Sequence, residues 1–439
     1  MQIIKAEDSY SNKIAKYFPT GKSLKIDCPS CKTLTIQLTE DCNLRCTYCY
    51  QINKSKKVMP FETAKKVIDA LFEDNWKLKG YYSHENITAL ILEFVGGEPF
   101  LEVKLMDKIM DYYIEQAFKF KSPLAYRFMI SMSSNGTLYN DPEVQRFIKK
   151  WRNNLSLGIS LDGCKELHDA CRIFPDGSGS YDLVVNAVKQ ELLITPNMST
   201  KMTFAPENID YIPEAIKNLV NIGYKYINCN CVFEDVWKLS DAQRFYIKLK
   251  ETADYLLTLD YIPIVSIFNL DCGYKIDPLN NINWCGGTGL MLCVNPDGNF
   301  YPCIRYEESS VGPDVEPFII GNVDDGIAKK PDEIERIKCL SCITRRSQST
   351  DECFNCSIGS GCAWCSGYNY QKFGTPNHRA TYICDMHKAR VLANCYFWNK
   401  YFRLNNDKRR FRLFLENDKC LEIINKDELS ILKQLESEK

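Results

Sequence analysis

From residue 33 to about 260 the chain alternates between two rhythms of apolar positions. Short runs rich in β-branched and aromatic residues, at 33–39, 89–95, 126–134, 155–161, 199–204 and 226–233, have the composition of strands. Between and after them, 61–75, 101–119, 141–152, 181–193, 211–222 and 240–258 carry apolar residues at helical spacing. Six strand–helix units in this order predict a parallel α/β sheet wound by right-handed crossovers. Six units rather than eight predict an open, partial (β/α)6 barrel. Past residue 265 the helical rhythm fades, Gly, Pro and Cys rise, and ten cysteines fall between Cys285 and Cys384. Such a stretch builds little apolar core, so metal clusters are the expected staples. Helical spacing returns from His387 to Phe402, and a short amphipathic helix is expected near 427–437. The organisation expected is an N-terminal extension over 1–32, the barrel over 33–265, a Cys-rich domain over 266–390 and a helical tail over 391–439.

Composition narrows the function classes. With 439 residues, 45% hydrophobic and 25% charged, the chain has an ordinary globular make-up. A formal net charge of −1 gives no reason to expect a nucleic-acid or anionic-membrane partner. No apolar run reaches the length of a membrane span, and the first residues lack the basic-then-apolar order of a signal peptide, so a cytoplasmic location is expected. Against that background, 22 cysteines are the anomaly. Disulfides suit small exported proteins, so metal or cluster ligation is the better account here. Four histidines leave little material for His-based metal sites.

The cysteines at 42, 46 and 49, in Asp-Cys-Asn-Leu-Arg-Cys-Thr-Tyr-Cys-Tyr, follow the first strand directly. They supply three thiolates, one fewer than the irons of a [4Fe–4S] cluster, which leaves one iron open to a ligand. A closed zinc site would want a fourth Cys or His nearby, and none follows. The loop lies at the C-terminal end of a strand, where α/β barrels place their chemistry. The second strand runs into Gly96-Gly97-Glu98-Pro99: two glycines allow close backbone approach, and the carboxylate can accept from an ammonium. Ser134-Asn135-Gly136-Thr137 ends the third strand with a turn-forming pair. The fourth ends in Ser160-Leu161-Asp162-Gly163, followed by His168-Asp169 and Arg172, where a Ser and an Arg suit a carboxylate ligand.

These segments resemble the motifs of the radical S-adenosylmethionine (radical SAM) enzymes, down to the aromatic Tyr48 before the third cysteine. The resemblance implies that Cys42, Cys46 and Cys49 hold a cluster whose open iron chelates SAM, and that Gly96, Gly97, Glu98 and Pro99 bind its amino group. Ser160 and Arg172 would take its carboxylate, with Tyr48, Ser134, Asn135 and Asp162 completing the cofactor set. The Ser-x-Asp-Gly…His-Asp…Arg stretch resembles the anaerobic sulfatase-maturing enzymes and their peptide-modifying relatives. Downstream, Cys285, Gly298, Cys303, then Cys353-x2-Cys356-x5-Cys362-x2-Cys365 and Cys384, resemble the SPASM extension, which carries two auxiliary [4Fe–4S] clusters. The family leaves three residues between the last closely spaced pair; here Ala363-Trp364 leaves two. By analogy Cys285, Cys303 and Cys365, with Cys293 a fourth candidate, would serve one cluster, and Cys353, Cys356, Cys362 and Cys384 the other.

Two further pairs stay open. Cys339-x2-Cys342 could join Cys353 and Cys356 in a zinc knuckle or swap into the second cluster, and Cys28-x2-Cys31 could be a metal pair, a redox pair or two buried thiols. Sulfatase-maturing enzymes place an Asp after the equivalent of Cys303, whereas this chain has Ile304. The closest resemblance is to the thioether-forming peptide maturases of the ranthipeptide and sactipeptide type. It implies a Cys-containing precursor peptide with a leader as substrate, and an electron donor such as flavodoxin or ferredoxin. The 32 residues before the barrel look short for a complete winged-helix leader-binding domain. Carbon–carbon crosslinking, epimerisation and sulfatase maturation remain other chemistries for the same scaffold, and a non-enzymatic zinc or iron–sulfur protein is the competing class.

Overall fold

The structure, a computed structural model, describes residues 31–73, 78, 81, 87–283 and 285–437; Cys28 lies outside them. Six parallel strands form its centre: β1 (Cys31–Thr39), β2 (Ala89–Gly96), β3 (Phe128–Ser134), β4 (Leu155–Ile159), β5 (Ser199–Phe204) and β6 (Tyr226–Cys231). Each pairs in parallel with the next, as the alternation of rhythms predicted. Five shorter strands extend the sheet: β7 (Ile264–Val265), β8 (Met291–Val294), β9 (Asn299–Tyr301), β10 (Gly321–Asn322) and β11 (Gly326–Ile327). The order β11-β10-β9-β8-β1-β2-β3-β4-β5-β6-β7 leaves β7 and β11 at opposite edges, so the barrel is open. β8 joins β1 in parallel, and an antiparallel ladder continues from it through β11.

Strand alternation divides the sheet into an apolar and a polar face. Leu34, Ile36, Leu38, Leu92, Phe94, Ile130 and Phe204 are fully buried on the first. Helices α1 (Phe61–Phe72), α2 (Val103–Lys119), α3 (Pro142–Trp151), α4 (Lys165–Cys171), α5 (Tyr181–Ile194), α6 (Ile212–Ile222) and α7 (Leu239–Leu256) follow in order. Their apolar stripes join these strand residues in one core. Local chemistry sets the ends. Asp141 accepts from Glu143 N and Val144 N to cap α3, which opens on Pro142, and α6 stops at Gly223, whose φ of 111° is left-handed. The other face carries Ser133, Gly158, Lys201, Asn228 and Asn230, which line a cavity of about 320 Å³ inside the open barrel.

The Cys-rich stretch holds more helix than its composition suggested: α8 (Pro331–Ser341) and α9 (Ser366–Phe373) precede the long α10 (Cys384–Leu404). α10 packs against α7, and α11 (Asn417–Ile423) and α12 (Lys426–Ser437) close the end of the chain. Tyr246 and Lys250 of α7 both bond Glu428 of α12, at 2.6 and 2.7 Å, which ties the tail to the barrel. No described helix is long and apolar enough to cross a membrane, and every described cysteine carries a free thiol.

Candidate active site

The three-cysteine loop is built by β1 and clamped by β2. Gly97 N donates to Thr39 O at 3.1 Å and Glu98 N to Asp41 O at 2.9 Å. A Cβ on Gly97 would lie 2.2 Å from Asp41 O and 2.6 Å from Cys42 Cβ, and one on Gly96 2.8 Å from Thr39 O. Both glycines are thus required by the approach of the cysteine loop itself. Pro99 then opens a short 3-10 turn, Pro99–Glu102, and Glu98 caps it by accepting from Phe100 N.

Glu98 is buried, and its carboxylate ties three elements together. Oε1 accepts from Ser134 Oγ at 2.8 Å and Phe100 N at 3.0 Å, and Oε2 from Asn135 N at 2.7 Å. Burial pushes its carboxyl above the ordinary range. Asn135 in turn bonds Asn43 at 2.8 Å and points its amide at Cys42 Sγ, 3.9 Å away, while Leu44 N donates to the same sulfur at 3.4 Å. Ser160 N donates to Ser134 O at 2.9 Å, placing the ends of β3 and β4 side by side.

A second buried carboxylate organises the opposite wall. Asp162 accepts from Arg172 Nε at 2.7 Å and Nη2 at 3.3 Å, from Thr203 N at 3.0 Å, and from the Tyr48 hydroxyl. The Arg172 guanidinium also lies over the Tyr48 ring, 5.5 Å from its centroid. His168 Nδ1 accepts from Asp162 N, so its proton sits on Nε2 and donates to Ser180 Oγ at 3.0 Å. Burial and Arg172 push this imidazole down to about 4, which makes His168 a neutral strut.

Eight of the other described cysteines fall into two further groups. Cys285 and Cys303 both place their sulfurs within 4 Å of where a Gly287 side chain would begin, and both interact electrostatically with Cys365. Cys293, fully buried on β8, is in electrostatic reach of Cys303. Cys353, Cys356, Cys362 and Cys384 line one cavity of about 490 Å³ with Arg379. Cys339 and Cys342 sit apart at the C-terminal end of α8 with Cys342 exposed, each other's thiol neighbour. Cys353 has Cys362 and Cys356 as its thiol neighbours instead. Cys339 and Cys342 are thus grouped with each other, and Cys353 with Cys356 and Cys362.

The donor sets suit iron–sulfur ligation. Burial pushes the Cys42 thiol up to about 11 and the Cys384 thiol up to about 12. Burial raises the Cys395 thiol, outside these groups, as far, to about 12, so the grouping of the thiols, not the shift, is what suits a cluster. N–H groups aimed at Cys42 Sγ add the hydrogen bonds that ligating sulfurs accept.

Sequence reading passed over Tyr50, Arg305 and Glu93. Tyr50 lies in electrostatic reach of both Cys49 and Cys303, the Arg305 guanidinium sits 4.8 Å from its ring centroid, and Glu93 is close by, accepting from Thr35 Oγ1 at 2.7 Å. Arg305 also pairs with Glu234 at 2.9 Å. The signal available was adjacency: Tyr50 follows Cys49, and Arg305 stands two after Cys303.

Comparison with known proteins decides what this loop-and-strand assembly is. The model of the radical SAM superfamily matches residues 36–219, from the middle of β1 through β5, and includes the cysteine loop, Gly96–Pro99 and Arg172. Residues 36–219 form a radical SAM domain. The chain thus carries the domain of a superfamily whose enzymes use S-adenosylmethionine and a [4Fe–4S] cluster. The cysteine-type anaerobic sulfatase-maturating enzyme of Clostridium novyi is 27% identical over 62% of this chain and 74% of its own. The antilisterial bacteriocin subtilosin biosynthesis protein AlbA of Bacillus subtilis is 25% identical over 63% of this chain and 56% of its own. The radical SAM cyclopropyl synthase TigE of Paramaledivibacter caminithermalis is 23% identical over 86% of this chain and 77% of its own. Among solved structures, native anSMEcpe with bound AdoMet and Cp18Cys peptide superposes at a TM-score of 0.59 with 19% identity, over 86% of this chain and 99% of that one. This likeness extends the shared fold beyond the matched domain, over 86% of the chain.

Proposed function

We propose that this radical SAM enzyme modifies a ribosomally made, Cys-containing precursor peptide with a leader, joining a cysteine sulfur to a carbon in a thioether crosslink. The observation that carries the reading is the placement of Tyr50 beside Cys49, Cys303 and Arg305, which brings the first cysteine loop and the Cys-rich stretch together. A substrate held there lies within reach of both thiol sets. The sulfatase-maturating and subtilosin-biosynthesis relatives support a peptide or protein substrate. Ile304, which offers no base where sulfatase-maturing enzymes have Asp, favours the crosslink over sulfatase maturation.

In this reading Cys42, Cys46 and Cys49 hold the SAM cluster, and the bound cluster and SAM together supply a carbon-centred radical that takes hydrogen from the substrate. Glu98 spends three acceptor positions on Ser134, Phe100 and Asn135 and keeps one for an ammonium. Arg172, held at Nε and Nη2 by Asp162, keeps Nη1 for a carboxylate beside Ser160. Cys285, Cys303 and Cys365 with Cys293, and Cys353, Cys356, Cys362 and Cys384, hold two auxiliary clusters, in a domain spanning 266–390 after the barrel of 33–265. Forming the new bond removes one C–H and one S–H. One hydrogen atom would leave in the radical step and a proton go to solvent or a base; an auxiliary cluster held by these cysteines would supply the acceptor for the remaining electron. A flavodoxin or ferredoxin supplies the electrons that start the cycle, and the enzyme works in the cytoplasm.

The test is to incubate the anaerobically reconstituted enzyme with SAM, reductant and the precursor encoded beside its gene, then reduce, alkylate and weigh the product. Each crosslink is expected to remove two hydrogens and to protect one cysteine from alkylation. A two-hydrogen loss with every cysteine alkylated would replace the thioether by a carbon–carbon bond. Unchanged mass with an inverted stereocentre would replace it by epimerisation.

A further inference from the structure

β6 ends against a second cavity, of about 470 Å³, walled by Phe204, Phe233, Phe245, Trp364, Ile383 and Met386. It shares Asn230 and Ser266 with the cavity inside the barrel, so the two adjoin. Gly361, Ala363 and Trp364 bring to it the segment that joins Cys362 to Cys365.

The charged and ionisable groups around it are spent or neutral. Arg390 donates from Nε to Ile267 O at 2.9 Å, from Nη1 to Gly361 O at 3.1 Å and from Nη2 to Ser266 O at 2.8 Å. His387 Nε2 is bonded to Ile358 O at 2.7 Å, and burial pushes its imidazole down to about 4. The thiols of Cys229 and Cys231 are pushed up to about 12 by burial and are uncharged.

Two polar features are unspent. Trp364 Nε1 is buried and has no hydrogen-bond partner. The other is the β6 edge at Cys231, the preceding edge residue Cys229 being taken up at both N and O by the Ser266 hydroxyl. In a parallel ladder successive residues bond to alternate neighbours. On the β7 side Ser266 N donates to Ile227 O at 2.9 Å, and the Ser266 hydroxyl accepts from Cys229 N at 2.8 Å. On the β5 side Val232 N donates to Phe204 O at 3.0 Å. The backbone of Cys231 therefore faces away from β5, past the end of β7 and toward the cavity. An aromatic wall, one indole N–H and a free strand edge match an extended peptide presenting a large apolar side chain.

We propose that this cavity is a side-chain subsite that takes a large apolar residue of the substrate peptide. The peptide runs along the β6 edge, and one of its carbonyls accepts from Trp364 Nε1. This rests on the peptide-modifying reading above and adds a sequence requirement to it: an apolar residue near the modified one. Burying such a side chain is worth about tenfold or more in affinity.

The test uses the reconstituted full chain and a photoreactive probe, the acetylated amide Gly-Gly-Xaa-Gly-Gly with p-benzoylphenylalanine at Xaa. Light is expected to attach it to Met386 or another residue of the cavity wall. The same peptide with Leu or Phe at Xaa should compete at least about tenfold better than with Lys or Asp. Cys231→Trp, which fills the space, should cut labelling several-fold at unchanged iron content; if its iron content falls, Cys231→Leu gives a milder filling with the same direction. Labelling outside the cavity, equal competition by Lys and Leu, or full labelling of the filled variant would overturn the proposal. The peptide-modifying reading itself is decided separately, by the mass of the neighbouring precursor, so the two can fail independently.

Discussion

Asp162 is the residue on which one wall of the site depends. It is fully buried and receives Arg172, Tyr48 and Thr203, so its charge fixes two of the side chains assigned to SAM. Asp162→Asn keeps the shape and removes the charge, leaving a buried guanidinium unpaired. The expected cost is roughly 3–5 kcal/mol of stability, read as a lower urea midpoint, with SAM binding weakened by about tenfold or more. A variant with the parent's midpoint and SAM titration would refute this role. Glu307 makes a pH-dependent contribution. It accepts from Gln37 Nε2 at 2.9 Å and from Ser309, and burial, with Glu308 and Glu40 nearby, pushes its carboxyl from 4.5 up to about 8. The folded state therefore keeps a proton that the unfolded chain releases above its ordinary value. This group's stabilising share is whole below about 4.5 and is lost as pH rises toward 8. Between pH 5 and pH 8 the parent should lose stability relative to Glu307→Gln, measured by urea midpoints; equal slopes would contradict this.

At the scale of elements, the junction of β1 and β2 carries the site, and Gly97 is its tightest point. Gly97→Ala drives a methyl into Asp41 O and Cys42 Cβ, backbone and ligand-bearing atoms that cannot swing aside as a flexible side chain would. The expected outcome is loss of iron from the three-cysteine loop with the other iron retained, measured by metal analysis and electron paramagnetic resonance; full iron would mean that the loop tolerates displacement. The six central strands and the helices between them were legible because each repeats a simple period over five or more residues. The motif loops were legible because they sit where those periods end. β8 was not: four residues inside a Cys-rich stretch carry no period, and only pairing with β1, more than 250 residues away in the chain, makes them a strand. Nor did spacing reveal that Arg172 turns onto Asp162, or that Tyr50 and Arg305 meet. Those contacts depend on side-chain direction and on how the Cys-rich stretch folds back over the barrel. Both residues lay inside motifs already noticed, yet neither residue type announced a role.

Taken whole, the molecule gathers cysteines from 42 to 384 into three thiol sets, and in the proposed function each set holds a cluster and the first cleaves SAM. The measurement that tests it most directly is iron content together with 5′-deoxyadenosine formation, in the parent and in the triple variant Cys42→Ala, Cys46→Ala, Cys49→Ala, purified and reconstituted without oxygen. Three four-iron clusters give the parent about twelve irons. The triple variant should lose about four of them and all reductive SAM cleavage, with the remaining iron still bound. A parent that binds zinc and little iron, or a triple variant that forms 5′-deoxyadenosine as fast as the parent, would contradict the account.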